Sequence, residues 1–306
     1  TAYAQQLLDD LDTVEWPEKV KLMQRNWIGR SEGAEFGLAI ADSEGNPRVD
    51  AEPLAVYTTR PDTGFGMTFA VMSPEHPRVD ELTTEDRREA VEAFRTGVAG
   101  RSEIDRLSTE GPLDKRGVAT GAFVVNPFSG SPVPLFLADY VLMTYGTGAI
   151  MAVPGEDQRD WDFAVAHGCE IIRTVQPPDD FDGEAYVGEG PAINSSFLNG
   201  LEVAEAKVAA IDWLEAEGHG VRKVNYRLRD WLLSRQRYWG CPIPIVYCDG
   251  CGEQPVPVGQ LPVDLPDDVE FMPTGQSPLT THEGFLNASC PVCGGPARRE
   301  TDTMDT

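Results

Sequence analysis

The sequence predicts a mixed α/β (α+β) protein, centred on a β-barrel-like domain with peripheral helices. One observation is that residues 117–154 hold several apolar, β-type runs separated by turn residues. Another is that amphipathic or charged stretches with helical periodicity stand before and after those runs. The runs do not repeat one another, so a closed or partly closed barrel fits them better than a solenoid.

Length and composition place the chain among folded proteins. It has 306 residues, of which 41% are hydrophobic and 25% charged, so a disordered chain is excluded. This length is typical of about two domains and is enough for a sizeable core. The 50 acidic residues exceed the 25 basic ones, giving a net charge of −25. That balance excludes nucleic-acid binding by bulk positive charge, although a local basic patch remains compatible with it.

Neither a membrane span nor a signal peptide is predicted. No run of 18 apolar residues occurs, and the amino-terminal stretch is acidic and amphipathic. The sequence does not start with Met and ends abruptly, so we expect a piece of a longer protein.

The elements follow in order along the chain. Helices are predicted over residues 1–30 (in two parts), 84–97, 157–167, 201–217 and 222–240, and strands over 34–72 and 117–154. Gly168 and Gly218 are expected to end the helices that precede them. The last predicted helix is basic and leads into a buried strand, and residues 253–273 have the proline content of a loop.

Four of the six cysteines form two C-x-x-C pairs: Cys248 with Cys251, and Cys290 with Cys293. A glycine follows each pair and permits the tight turn that brings backbone amides to thiolates. Four thiolates hold zinc tetrahedrally with Zn–S distances near ~2.3 Å, so we predict a structural zinc site with no open position for catalysis. Two disulfides or a redox pair are the alternatives, and the missing signal peptide and strand–helix context favour neither.

A threonine-rich run is the first candidate for chemistry. Thr58, Thr59 and Thr63 offer hydroxyl groups around Arg60 and Asp62. Consecutive threonines are often just an outward-facing strand, but the Arg-Pro-Asp sequence breaks a strand and turns the chain. The combination therefore indicates a site.

A second run, residues 146–160, contains two carboxylates. Asp157 and Asp160 are three residues apart, so a helix would present them on one face. Asp157 is equally well explained as a helix N-cap. Met151 and Val153 would either line a pocket or belong to a core strand, because they alternate with small residues.

Three segments carry a resemblance to a known family. Residues 58–66 and 146–160 resemble the two walls of the editing pocket in class I aminoacyl-tRNA synthetases, and residues 229–240 resemble the return into the catalytic domain. Residues 24–35 and 300–306 favour the leucine enzyme. The whole chain thus resembles the central portion of bacterial-type leucyl-tRNA synthetases.

The resemblance implies an activity and its partners. Such editing domains bind the 3′-terminal adenosine of tRNA(Leu) and hydrolyse esters of norvaline, isoleucine or methionine, because a hydrophobic pocket alone discriminates too weakly. The HIGH and KMSKS motifs are absent, so ATP and Mg would serve only the full-length enzyme. The implied protein is a cytoplasmic monomer with no membrane association.

The resemblance also implies residue roles. Asp160 would bind the α-ammonium group, Thr63 would block leucine, and Arg60 would pair with the terminal phosphate or a site carboxylate. Asp62 would hold the turn, and Tyr145 would contact the terminal nucleoside.

No His or Cys stands in either motif, so an ordered water is expected to attack the ester. Glu156 departs from the family pattern, since many relatives carry His at this position, which puts a histidine role here in doubt.

The predicted organisation has five parts. Residues 1–33 lead in from the synthetase body, 34–220 form the editing domain, 221–246 return to the catalytic domain, 247–294 form the zinc module, and 295–306 begin the next segment. The alternatives are the editing region of an isoleucyl- or valyl-tRNA synthetase, which the Asp-Thr-Met-Asp run disfavours, and a non-catalytic zinc-ribbon binding module.

Overall fold

The structure is a computed structural model that describes residues 2–42, 44–98, 117–143, 146–228, 230, 232–272 and 277–305. The chain divides into two compact units, Thr1–Leu228 and Arg229–Thr306. The five-part division predicted from the sequence stays a prediction. No helix in the described ranges has the length and apolar character needed to cross a membrane.

The first unit contains helices around one large sheet. The helices are α1 (Ala4–Asp10), α2 (Glu18–Ile28), α3 (Arg88–Val98), α4 (Gln158–His167) and α5 (Val203–Ala216). The strands are β1 (Arg30–Ala41), β2 (Leu54–Thr58), β3 (Phe69–Met72), β4 (Gly117–Val125), β5 (Pro132–Ala138), β6 (Ala149–Ala152) and β7 (Gly220–Tyr226). A 3₁₀ helix, Pro61–Gly66, joins β2 to the segment before β3.

The sheet has the order β2-β1-β4-β5-β3-β6, and β7 pairs with β1. Only β3 and β5 run parallel; the other pairs are antiparallel. The predicted mixture of sheets and helices is therefore confirmed. Strands β2 and β6, at opposite ends of this order, lie close together. No hydrogen-bonded ladder joins them within the described ranges, so a closed barrel stays a prediction.

The central strands are buried on both faces. Along β3, Ala70 and Met72 belong to the main core with Leu135 and Leu137 of β5, whereas Phe69 and Val71 point into a second core. Successive strand residues face opposite sides of a sheet, so β3 must be apolar at every position. The sequence FAVM meets this requirement.

Aromatic packing fixes α4 against the second face. The ring of Phe163 stacks on Phe69 with centroids 5.2 Å apart and meets Phe136 edge-on at 5.2 Å. Gly168 ends the helix in the left-handed region at φ 69°, as predicted. Because α4 is held by its centre, the first turn, which carries Asp160, has a defined place at the sheet edge.

The second unit has its own small sheet. Its elements are β8 (Cys241–Pro242), β9 (Ile245–Cys248), β10 (Gly252–Pro255), α6 (Glu283–Leu286), β11 (Asn287–Ser289), β12 (Pro296–Arg299) and β13 (Thr303–Met304). Two antiparallel hairpins lie side by side in the order β10-β9-β12-β11. Each hairpin has a C-x-x-C pair at its turn.

The helix predicted over residues 222–240 is wrong. Its first residues belong to β7, which pairs with β1 from Arg30↔Tyr226 to Phe36↔Gly220. Residues 230 and 232–240 contain no helix. The long β1 leaves an edge whose backbone groups need partners, and this tertiary pairing outweighs the local helical pattern.

Candidate functional site

The threonine-rich run turns sharply where β2 ends. The Thr58 hydroxyl Oγ1 accepts a hydrogen bond from the backbone N–H of Arg60 at 3.0 Å, closing a local turn. Pro61 then begins the 3₁₀ helix, whose residues Asp62 and Thr63 are 3% and 2% exposed. The predicted break of the strand is thus present. Thr59, in contrast, is exposed to solvent.

Thr63 is held by the main chain of Arg60. Both its backbone N–H and its hydroxyl donate to the Arg60 carbonyl oxygen, at 3.1 and 2.9 Å. The hydroxyl oxygen keeps its capacity to accept. The position of the Thr63 side chain therefore depends directly on where Arg60 lies.

Arg60 is surrounded by carboxylates. Its Nε lies 3.0 and 3.1 Å from the two oxygens of Asp62, and its second terminal nitrogen lies 2.7 Å from Asp62 Oδ2. Burial alone would lower the pKa of Arg60, but the hydrogen bonds and charge of Asp62, with the charges of Glu156 and Glu189, raise it above its usual value. Arg60 is thus firmly cationic and bound to one carboxylate of the predicted site.

The second run forms the junction between β6 and α4. The Val153 carbonyl accepts from the N–H groups of Glu156 and Asp157 at 3.1 and 3.0 Å. Asp157 Oδ1 then accepts from Arg159 N and Asp160 N at 2.8 and 3.2 Å. Asp157 therefore acts as the N-cap of α4. Its side chain and that of Asp160 sit in different surroundings, since only Asp160 is buried.

Asp160 is a buried carboxylate with two partners. It is 5% exposed; Oδ2 accepts from Val153 N at 2.8 Å, and Oδ1 accepts from the Tyr140 hydroxyl at 3.3 Å. Burial, together with the charge of Asp157, raises the pKa of Asp160 to about 7. These hydrogen bonds and nearby Arg159 counter that shift only in part. A charge that appears near neutral pH at a sheet edge is typical of functional sites.

Met151 and Val153 lie in the main core, at 7% and 5% exposure. Core packing is therefore their observed role, and a role in lining a pocket stays a prediction. Tyr145 lies outside the described residues.

The sheet brings the two runs together. Strand β3, which follows the 3₁₀ helix, pairs with β6 from Phe69↔Ala152 to Met72↔Ala149. A Cβ on Gly66 would lie 3.1 Å from Val153 Cγ1 and 2.9 Å from Thr174 Cγ2, so only glycine fits this close approach. The segments carrying Thr63 and Asp160 are consequently neighbours, although more than 80 residues separate them in sequence.

Two supporting residues escaped the sequence analysis. Buried Asn126 donates to the carbonyl oxygens of Gly64 and Met67 at 2.9 and 3.2 Å, which fixes the end of the 3₁₀ helix. Tyr140 orients Asp160, as described above. Asn126 is 62 residues from Gly64 in sequence, and Tyr140 is 20 residues from Asp160 and outside both motifs, so it is their contacts in the tertiary structure that identify them.

The four predicted metal ligands converge in the second unit. The Sγ atoms of Cys248, Cys251, Cys290 and Cys293 all lie within 4.8 Å of one another. Cys248 and Cys293 are 3.6 Å apart, close to the ~3.8 Å edge of a tetrahedron with ~2.3 Å Zn–S bonds and far beyond a ~2.05 Å disulfide bond. Gly252 and Gly294 adopt left-handed φ angles of 74° and 71° after the two pairs. The donor set and spacing fit a tetrahedral metal ion.

The titration of Asp160 gives a testable pH dependence of stability. An unfolded Asp has a pKa near ~3.9, so between that value and about 7 the folded protein binds more protons than the unfolded chain. The carboxyl group therefore stabilises the fold at low pH, and this contribution is lost as the pH rises through about 7. Asp160→Asn cannot titrate.

Urea unfolding of both proteins from pH 5 to pH 8 measures the effect. The free energy of unfolding of the wild type, relative to Asp160→Asn, should fall by roughly 2–3 kcal/mol over this range. Parallel stability curves for the two proteins would contradict a buried Asp160 with a raised pKa.

Comparisons with known proteins agree with this geometry. Residues 25–215 match the family model "Leucyl-tRNA synthetase, editing domain". A leucine–tRNA ligase from Rubrobacter xylanophilus is 56% identical over 310 aligned residues, covering 100% of this chain and 36% of the relative. One from Thermotoga maritima is 51% identical, covering 100% and 37%. The chain thus spans little more than a third of the length of these relatives.

A solved structure is also similar. A LeuRS from Agrobacterium radiobacter, crystallised in a ternary complex with tRNA and LeuAMS, has a TM-score of 0.68 and 39% identity to this chain. The similarity covers 99% of this chain and 34% of that one. With the editing-domain model matching over residues 25–215 and leucine–tRNA ligases aligning along its whole length, the chain belongs to the leucyl-tRNA synthetase family and contains its editing domain.

Proposed function

We propose that this chain hydrolyses the ester bond of tRNA(Leu) carrying a wrong amino acid, such as norvaline, isoleucine or methionine. The observation that carries the proposal is the buried carboxylate of Asp160, fixed beside the threonine-rich 3₁₀ helix. A complete protein of this family would be an ATP- and Mg-dependent leucine–tRNA ligase, monomeric and cytoplasmic, with its editing domain barrel-like in form.

Recognition would begin with the α-ammonium group of the misattached amino acid. Only the ionised form of Asp160 pairs with that cation, and each carboxylate oxygen retains a lone pair beyond its present hydrogen bond. An arriving ammonium group favours the charged form, so binding would lower the pKa of Asp160 and release its proton at neutral pH.

The hydrolytic step would use water rather than a protein nucleophile. The water oxygen attacks the ester carbonyl carbon and loses a proton; the bond from that carbon to the ribose oxygen breaks, and the ribose oxygen takes up a proton. The hydroxyls of Thr58 and Thr59 would orient the water and the ester oxygens. Thr59 is exposed, so its hydroxyl can contact water directly. Asp157, as N-cap, would support this arrangement through α4.

Arg60 and Asp62 would hold the site together. Their ion pair fixes the start of the 3₁₀ helix, and Arg60 keeps 28% of its side chain exposed for the terminal phosphate of the tRNA. Tyr145, Met151 and Val153 would contact the terminal adenosine or the amino-acid side chain.

The direct test is deacylation of isoleucyl-tRNA(Leu) by the 306-residue chain. The wild type should release isoleucine well above the buffer rate. Asp160→Asn keeps an acceptor for Val153 N but loses its charge, so kcat/KM should fall about 10- to 100-fold, the worth of a charge-assisted hydrogen bond. Asp182→Asn, an exposed carboxylate, is the control and should retain activity. A wild-type rate equal to the buffer rate would refute the proposal.

Thr63 would exclude the correct amino acid. We expect Thr63→Ala to hydrolyse leucyl-tRNA(Leu) faster than the wild type, within the ~10–200-fold that one side-chain group in a pocket can provide. Hydrolysis of the isoleucyl ester serves as the internal control and should continue. A variant that remains inert toward leucyl-tRNA(Leu) would remove Thr63 as the excluding residue.

We also propose that the four-cysteine cluster binds a structural zinc ion. Elemental analysis of the purified chain should find about one zinc per molecule, and Cys290→Ser should lose it, because three thiolates do not complete the closed tetrahedral site. Cys241→Ser is the matched control, since Cys241 is exposed and lies outside the cluster. Wild type without zinc, or full zinc in Cys290→Ser, would refute this site.

A further inference from the structure

The feature that remains unassigned is Glu156, a buried carboxylate at the β6–α4 junction. It is 7% exposed, and Oε1 accepts from the N–H groups of Thr174 and Val175 at 2.6 and 3.1 Å. Within the described residues, Oε2 and the Thr174 hydroxyl are buried without a hydrogen bond of regular geometry. Burial raises the pKa of Glu156, and the two backbone amides, the Thr174 side chain and the charge of Arg60 counter that shift only in part. A buried carboxylate with an incompletely hydrogen-bonded oxygen costs stability.

One consequence of Glu156 reaches the carboxyl end of the 3₁₀ helix. Residues 172–175 have no regular strand ladder, and Glu156 supplies the acceptor for two of their amides. This anchors Thr174, whose Cγ2 lies 2.9 Å from a Cβ built on Gly66, the last residue of the 3₁₀ helix. The end of that helix rests on a segment that Glu156 holds in place.

A second consequence reaches its amino end. Arg60 is paired with Asp62, and the charge of Glu156 is one of those that raise the pKa of Arg60. The Arg60 carbonyl oxygen accepts both the N–H and the hydroxyl of Thr63. Glu156 thus acts on both ends of the short helix that carries Thr63.

We propose that Glu156 is a positioning residue that sets the discrimination of the site by holding the 3₁₀ helix, and through it Thr63, at a defined distance from the bound amino acid. The proposal rests on the function proposed above. Glu156 contacts no reacting atom in this scheme; it acts through Arg60 and Thr174.

Two substitutions separate its actions. Glu156→Gln keeps an oxygen acceptor for the Thr174 and Val175 amides but removes the charge facing Arg60. Glu156→Ala removes both the charge and the acceptor. Glu170→Gln is the matched control, because Glu170 is exposed and lies on the same stretch of chain between α4 and Thr174.

The decisive measurement is the ratio of kcat/KM for isoleucyl-tRNA(Leu) to that for leucyl-tRNA(Leu). A merely structural role would lower the folded fraction and reduce both rates equally, leaving the ratio unchanged. We expect the ratio to fall about tenfold in Glu156→Gln, equivalent to about 1.4 kcal/mol, and further in Glu156→Ala. It should stay at the wild-type value in Glu170→Gln.

A double-mutant cycle tests the route through Thr63. If Glu156 acts by placing Thr63, Glu156→Gln should leave the ratio nearly unchanged in a Thr63→Ala background, because the group it positions is gone. Additive effects of the two substitutions, or a ratio unaltered in both Glu156 variants, would overturn the proposal.

A spectroscopic measurement keeps this test independent of the proposed activity. The methyl group of Thr63, observed by NMR in threonine-labelled protein, should shift in Glu156→Gln and not in Glu170→Gln. If the wild type hydrolyses no ester, the proposed function fails while this measurement still decides the role of Glu156. An unmoved Thr63 methyl signal in both Glu156 variants would refute it.

Discussion

The antiparallel pairing of β3 with β6 is the constraint on which the site depends. It joins Phe69–Met72 to Ala149–Ala152, so that the turn before one strand and the turn after the other meet at a single sheet edge. The pairing requires β3 to be apolar on both faces, since β5 flanks it on the other side and α4 covers it. The segments that carry Thr63 and Asp160 are thus brought together by the main-chain hydrogen bonds of this strand pair.

Electrostatics at this edge differ from those of the chain as a whole. The net charge of the chain is −25, and among the buried carboxylates of the described residues are three from the two motif segments: Asp62, Glu156 and Asp160. A different set of interactions offsets the free-energy cost of burying each of these carboxylates. Asp62 has a bidentate arginine, Glu156 has two backbone amides with Arg60 nearby, and Asp160 accepts two hydrogen bonds and titrates near neutral pH. Asp62 and Glu156 fix the positions of backbone segments through their partners, whereas Asp160 can gain or lose a proton near neutral pH.

Part of the fold and of the candidate site can be predicted from the sequence, and the predictions that fail do so for physical reasons. Local patterns predict the class of fold, the glycines that end two helices and the convergence of the four cysteines. They do so because helix caps, turns and C-x-x-C pairs each depend on residues that are close together in sequence. Asn126 and Tyr140 could not be found in that way, since each supports a site residue across the fold. The local pattern of residues 222–240 predicts a helix that the structure does not contain, because residues up to Tyr226 pair with Arg30–Phe36 and such a long-range contact is not visible in consecutive residues.

The pairing of β1 with β7 fixes the two ends of the segment that carries the candidate site. Arg30 lies opposite Tyr226, so the chain enters and leaves through adjacent antiparallel strands, which are about 4.8 Å apart in any sheet. The residues between these two paired strands, nearly two hundred in all, form one long connection that begins and ends at the same place in the sheet. The threonine-rich run, the β3–β6 pair and Asp160 therefore all lie within a segment whose two ends are held side by side by one ladder of main-chain hydrogen bonds.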